Sequence, residues 1–324
     1  MIFDVVILGG GPAGLSAALT LGRSRKRVLL CDAGPRRNAA AAHMQNFVTR
    51  DGTSPEEFRR VAGDQLEKYP QVERRGEPAL SITGTSGAFR VGFASGIVEA
   101  RRVLLCTGMI DELPPIQGLH ALWGRSVFQC PYCHGWEVQD RRWGYLVRPE
   151  DAATFLPFAL QTRAWTNDFV VFTNGTSEVP HEVRGALDAA GIRLETAPIA
   201  RLGAEREQLV AVELADGTSV PCDVLFMHPP QRQVDLVLSL GLVLDESGYV
   251  RVDAMKSETS IAGVYAAGDL TSRMQAAVWA AATGMRAAAA INLELTLASV
   301  AGVGAAPRQG ATTLHSERSS ADAG

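Results

Sequence analysis

The sequence predicts an α/β protein of two units, one set inside the other, and three observations carry that prediction. The chain opens with a short apolar run, FDVVIL at 3–8, which passes through GGGPAG into a small-residue helix pattern at 13–22. A second strand and helix alternation begins near residue 141, after the breaker DELPPIQG at 111–118. A strand and turn, GVYAAGD at 263–269, then leads into an Ala-rich helix at 275–296. With 324 residues and roughly 100–200 residues per domain, two domains are expected.

Each element follows from local chemistry. The run 3–8 is apolar on both faces and ends in glycine, as a buried parallel strand does. RVLLCDAG at 27–34 is the second strand, so the opening reads strand, helix, strand. Ser54 and Pro55 open a helix predicted over 54–68, and 87–108 is β-rich. The adjacent prolines Pro114 and Pro115 stop regular structure and suggest a crossing between domains. Beyond them, strands are predicted at 141–147 and 168–175, helices at 151–164 and 181–190, and a β-rich stretch to about 227. YVRVDA at 249–254 reads as a further strand. The tail 301–324 has no apolar periodicity and is expected to be disordered.

Composition narrows the function classes. Apolar residues are 46% of the chain, enough for sizeable cores, and the net charge of −4 argues against nucleic acid as a main partner. No run of 18 apolar residues is present, which argues against a membrane span. The N-terminal stretch lacks a basic region and carries Asp4, so it reads as a strand rather than a signal peptide, and a cytoplasmic location is expected. Five cysteines are too few and too scattered for a disulfide scaffold. Cys31, Cys106 and Cys222 lie in apolar strand-like runs and read as inert buried thiols.

Gly9, Gly11 and Gly14, with Pro12 and Ala13 between them, form G-x-G-x-x-G between a strand and a helix. Gly9 permits the tight turn, Gly11 lets the backbone approach a pyrophosphate, and Gly14 lets helix and strand pack closely. The helix start offers N–H groups and a positive dipole end to phosphate. Asp32, 23 residues after Gly9, ends the second strand where an acid would bond a ribose hydroxyl. Near the other end, Gly268 and Asp269 close an apolar strand with small residues and a carboxylate able to bond a polyol.

GGGPAG, TGMIDELPPIQG and GVYAAGD, in this order, resemble the flavoproteins with two dinucleotide domains. The resemblance implies FAD as cofactor and two Rossmann-like domains of three-layer ββα type. The FAD domain would be 1–113 with 237–300, and 114–236 would be inserted. It gives Asp269 the ribityl and phosphate region. Gln275 and Ala276 match a Gln-Ala that lies near the isoalloxazine in thioredoxin reductases, and His43 falls where that family passes the flavin.

Cys130-Pro131-Tyr132-Cys133-His134 puts two sulfurs within disulfide reach. A helix begun by Pro131 would lower a thiol pKa through its dipole. The same spelling serves haem c attachment, and half a zinc site, but no second pair accompanies it and no metal is expected. A pair near residue 130 is similar to that of the low-molecular-weight thioredoxin reductase family. CPYCHGWE is closer to its FAD-dependent dithiol oxidase branch, which closes disulfides such as those of gliotoxin and holomycin. The resemblance makes Cys133 the flavin-facing sulfur, Cys130 the exchanging one, and the protein a homodimer. His134 stands where the reductases have an acid, and an imidazole titrating near neutrality could pass a proton. Tyr132 and Trp136 read as packing residues.

The inserted unit lacks its own glycine loop. After GYLV come Arg148, Pro149, Glu150 and Asp151, with two carboxylates where a pyrophosphate would sit. NADPH is therefore expected to be a poor ligand. The leading expectation is a dithiol oxidase using molecular oxygen on a small or thioredoxin-like dithiol. The alternatives are a thioredoxin reductase fed by NADPH or a donor such as ferredoxin, and a non-catalytic flavin redox sensor.

Overall fold

The computed structural model describes residues 2–34, 36–175 and 178–300; the tail 301–324 lies outside the described residues. In chain order the first part holds β1 (Ile2–Leu8), α1 (Pro12–Arg23), β2 (Val28–Cys31), α2 (Pro55–Leu66), β3 (Val72–Arg75), β4 (Ser81–Thr85), β5 (Ala88–Phe93), β6 (Gly96–Leu105) and β7 (Ile110–Asp111). The middle holds α3 (Leu119–Leu122), β8 (Val127–Phe128), α4 (Pro131–His134), β9 (Trp143–Leu146), α5 (Leu156–Gln161), β10 (Phe169–Phe172), α6 (His181–Ala189), β11 (Arg193–Glu195), β12 (Ile199–Glu205), β13 (Gln208–Leu214), β14 (Ser219–Pro221) and β15 (Val224–Met227). The last part holds β16 (Gln231–Arg232), α7 (Asp235–Ser239), β17 (Val264–Ala266) and α8 (Ala277–Val300).

Two compact units result: among the described residues, one takes the chain up to Arg37, Glu56–Ile110 and 231–300, and the other takes Asn38–Pro55 and Asp111–Pro230. In the first unit β3, β2, β1 and β6 run parallel, with Val5 opposite both Val28 and Arg102. The ten-residue β6 carries two neighbours on its other edge. Gly96 to Ala100 pair antiparallel with β5, and Val103 to Leu105 pair parallel with β17. Strand alternation then gives two cores. Val6, Leu8, Leu29 and Leu105 face the β4–β5 layer through Phe89 and Val91. Val5, Ile7, Leu30 and Leu104 face Ala17 and Leu21 of α1 and Ile291 of α8. This is a three-layer ββα arrangement, and small residues hold its helices close: a Cβ on Gly284 would lie 2.1 Å from the Ala13 carbonyl oxygen.

The second unit repeats the plan. A parallel sheet in the order β11, β10, β9, β15, β8 has Tyr145 opposite both Val171 and Phe226. One face packs on the antiparallel β12–β13–β14 layer through Leu202 and Val212, and the other packs on Phe155 and Leu187.

Four sequence expectations need correction. Residues 38–55 group with the second unit, where Ala40 packs so tightly on Gly124 that a Cβ there would lie 2.6 Å from the Ala40 Cβ. The return crossing comes at 230 rather than 236, because buried Gln233 bonds the Gly248 and Leu270 carbonyls at 2.8 and 3.1 Å. YVRVDA is not a strand; Val250 makes one isolated bridge, to Leu244. The helix expected at 151–164 is interrupted, with a 3-10 turn at Pro149–Asp151 and α5 only from Leu156.

Candidate active site and cofactor site

The glycine loop of the first unit is built for close approach. Gly9 has φ 112°, its N–H donates to the Cys31 carbonyl at 2.8 Å, and a Cβ there would fall 2.1 Å from the Cys106 carbonyl oxygen. Gly14 meets the Gly9 carbonyl, where a Cβ would sit at 1.8 Å. A Cβ on Gly11 would instead meet nothing within 4 Å. The loop is therefore packed from behind and open where α1 starts, with Gly11 as its N-cap and Pro12 at its first position. This fits a dinucleotide phosphate.

The structure brings Gly268 to the start of α1. The Gly268 N–H donates to Thr283 Oγ1 at 3.0 Å, and a Cβ on Gly268 would lie 3.0 Å from the Ala13 Cβ. Asp269 accepts from Arg37 at 3.0 Å. Ala276 accepts from the Ala280 N–H at 2.9 Å in the first turn leading into α8, and Gln275 just before it pairs with Gln231. Asp32 accepts from the Gly10 N–H at 3.3 Å and beside it lies a cavity of about 460 Å³.

Arg59 was not singled out by sequence. From α2 it pairs with Asp32 and donates to the Gly10 carbonyl at 2.7 Å, tying the acid to the loop. Nothing in PEEFRR distinguishes it from a solvated helix arginine. His43 is exposed on the 38–55 segment of the other unit.

In the second unit the cysteines sit at the end of β8. Cys130 caps α4, Pro131 is its first residue, and the Cys133 N–H donates to the Cys130 carbonyl at 3.2 Å. Both are half-buried. The helix is a single turn, so its dipole contributes less to thiolate formation than the sequence suggested.

His134 differs more sharply from expectation. Its ring stacks on Phe128 with centroids 4.2 Å apart, and Nδ1 is buried with no hydrogen-bond partner among the described residues. Burial pushes its pKa down to about 4, against an opposing backbone hydrogen bond at Cys130. At neutral pH the ring is uncharged, a hydrogen-bonding group rather than an imidazolium donor. Gly135 and Trp165 are also part of the turn. A Cβ on Gly135 would lie 2.5 Å from the Pro131 carbonyl and 2.9 Å from Trp165 Nε1.

Tyr132 and Trp136 are not packed inside. Their exposures are 59% and 71%; Tyr132 leans edge-on against Trp165, and its hydroxyl accepts from Gln161. The remaining cysteines are buried; burial pushes Cys31 and Cys222 up to about 12, and Cys106 upward too.

The turn after β9 has no left-handed glycine. Arg148 caps the 3-10 turn, bonds Asp151 at 2.8 Å and lies 3.2 Å from Glu150. The two carboxylates are therefore less repulsive than the sequence suggested, because the arginine immediately before them claims both.

A glycine cradle and late carboxylate in one ββα unit, with a C-x-x-C turn in a second, define a two-domain disulfide oxidoreductase. The chain belongs to the pyridine nucleotide-disulphide oxidoreductase family, whose pattern matches residues 3–151 and 166–284. It is a thioredoxin reductase-like enzyme acting on sulfur groups, in an FAD-binding class, with likeness to the gliotoxin-type branch. It is 34% identical to thioredoxin reductase sirT of Leptosphaeria maculans, over 93% of this chain and 96% of that protein. The crystal structure of the oxidoreductase from Agrobacterium tumefaciens matches with TM-score 0.84 and 36% identity, covering 92% of this chain and 99% of that one. The crystal structure of HlmI matches with TM-score 0.85 and 34% identity, covering 93% and 94%. No described helix is long and apolar enough to cross a membrane.

Proposed function

We propose that this protein is an FAD-dependent dithiol oxidase that closes a disulfide in a small dithiol. The observation that carries the reading is an intact Cys130–Cys133 turn in a unit whose own nucleotide turn is occupied by Arg148, Glu150 and Asp151. Gly9, Gly11, Pro12, Ala13 and Gly14 would hold the FAD pyrophosphate, Asp32 a ribose hydroxyl, Gly268 and Asp269 the ribityl end, and Gln275 with Ala276 the isoalloxazine region.

Starting from the oxidised pair, a substrate thiolate attacks Cys130 Sγ, and the Cys130–Cys133 bond breaks with Cys133 leaving as thiolate. The second substrate thiolate attacks the substrate sulfur of this mixed disulfide and releases Cys130 as thiolate. The substrate has then lost two electrons and two protons, and the pair has gained the electrons. When bound, FAD would supply a two-electron acceptor for the reduced pair, with molecular oxygen taking the two electrons and the two protons lost by the substrate as hydrogen peroxide. His134 stays neutral beside the pair. Exposed Tyr132 and Trp136 offer an apolar flank to a compact substrate.

Oxygen consumption with a dithiol and no nicotinamide is the expected result. Anaerobic turnover driven by NADPH would overturn the reading. A second reading, reduction of a thioredoxin-like disulfide with NADPH, is supported by similarity to proteins named thioredoxin reductase. Rapid bleaching of bound FAD by NADPH in a stopped-flow cuvette would select it.

A further inference from the structure

We propose that Gln231 is a positioning residue that fixes how the Gln275 amide is presented to the flavin; the inference rests on the assignment of Gln275 to the isoalloxazine region. Gln231 comes from PPQRQ, a segment the sequence marks only as a change of structure. Its Nε2 donates to Gln275 Oε1 at 3.0 Å, and Gln275 Nε2 donates back to Gln231 Oε1 at 2.8 Å. The two primary amides thus close a ring of two hydrogen bonds. Both side chains are half-buried.

An amide can be turned over at little steric cost, because its oxygen and nitrogen are nearly the same size. Two contacts set the sense here, the Asp269 carbonyl and the ring itself, and a hydroxyl able to donate or accept follows that sense. The Asp269 carbonyl can only accept, and Gln275 Nε2 lies 3.5 Å from it; that contact is long, so it gives direction more than strength. With Gln275 in that sense, Gln231 must offer Oε1 to its N–H and Nε2 to its oxygen. Behind them the hydroxyl of buried Tyr249 donates to Gln231 Oε1 at 2.9 Å. Turning Gln275 over would set nitrogen against nitrogen and oxygen against carbonyl. Turning Gln231 over would do the same within the ring.

The order Tyr249, Gln231, Gln275 is therefore a polarity relay ending at the predicted flavin residue. A donor or acceptor held at a flavin ring alters the relative stability of its oxidised and reduced forms. Gln231 would then tune the cofactor without touching it.

The test measures the flavin midpoint potential against a reference dye, and the visible absorption spectrum, in purified FAD-bound protein. The variants are Gln275→Ala, Gln231→Leu, Tyr249→Phe and the double Gln231→Leu/Gln275→Ala. Gln231→Leu and Gln275→Ala are each expected to change the oxidised-to-reduced ratio about tenfold at fixed potential, roughly 30 mV for a two-electron couple. The double variant should match Gln275→Ala alone, because Gln231 acts only through Gln275. Tyr249→Phe should shift the potential in the same direction by less, and it decides the matter if Gln231→Leu fails to retain FAD. A shift with Gln275→Ala but none with Gln231→Leu or Tyr249→Phe, or additive shifts in the double, overturns the relay. No shift and no spectral change with Gln275→Ala removes Gln275 from the flavin, and the proposal falls with that assignment.

Discussion

Replacing His134 with Phe should abolish a pH-dependent loss of stability in the second unit. The ring stacks on Phe128, Nδ1 is buried without a hydrogen-bond partner among the described residues, and its pKa falls from 6.5 to about 4. A depressed histidine pKa means the unfolded chain binds a proton that the native one refuses. Stability is therefore unaffected above about pH 7 and drains away as pH falls from 6.5 to 4. Each pH unit over which the native ring refuses the proton costs about 1.4 kcal/mol, so the penalty reaches about 2.5 kcal/mol at about pH 4.5. Phe keeps the stack and cannot titrate. Urea unfolding followed by tryptophan fluorescence reports mainly on this unit, since Trp123, Trp136, Trp143 and Trp165 all lie in it. The wild-type stability minus that of the variant should become more negative by about 2.5 kcal/mol between about pH 7.5 and 4.5. Carboxylates common to both proteins cancel in that difference. A difference constant with pH would show that His134 is protonated in the native state, and would restore it as an imidazolium donor.

Further tests address the two sites separately. Gly135→Ala drives a Cβ into the Pro131 carbonyl and Trp165; we expect at least about a tenfold fall in dithiol turnover with FAD content unchanged, in line with overpacking costs of about 1–3 kcal/mol. Arg59→Met frees Asp32 and the Gly10 carbonyl, and should raise the FAD dissociation constant about tenfold, the equivalent of about 1.4 kcal/mol, read from flavin fluorescence on dilution. Trp136→Ala removes an exposed ring, so its melting temperature should hold while KM for a small apolar dithiol rises and kcat stays; an unchanged KM would show that the ring does not meet substrate.

The first ββα unit was legible because each of its signals is local. Gly9, Gly11 and Gly14 have spacing that only a strand–turn–helix needs, and the apolar run FDVVIL marks a strand covered on both faces. What escaped is non-local. Arg59 looks like any helix arginine until α2 is laid beside β2. Gln231 gains meaning only when the chain leading into α8 brings Gln275 to it across 44 residues of sequence. Residues 38–55 read as part of the first unit because they lie between two of its elements, and spacing says nothing of the Ala40–Gly124 contact. For His134 the residue type was informative but its surroundings were not: Phe128, six positions earlier, removes the charge that the type suggests. Tyr132 and Trp136 misled in the opposite direction, since aromatic residues are more often buried than displayed.

The two units share one plan, and a single turn distinguishes their chemistry. After β1 the chain enters Gly9 with φ 112°, and the loop stays open at Gly11. After β9 it enters Arg148 and winds into a 3-10 turn. In the oxidase reading, the obstacle to a nicotinamide dinucleotide is more than a missing glycine. A phosphate arriving there would compete for Arg148 with Glu150 and with Asp151, which is 9% exposed. If the phosphate won, Asp151 would be left buried beside another anion, at a cost below the about 3–5 kcal/mol of breaking a fully buried pair, because the Arg148 side chain is 24% exposed. Restoring a glycine alone would leave that cost in place. In that reading, nucleotide entry requires exchanging Arg148, Glu150 and Asp151 together with restoring the glycines, and the Cys130–Cys133 turn can be kept intact while it is done.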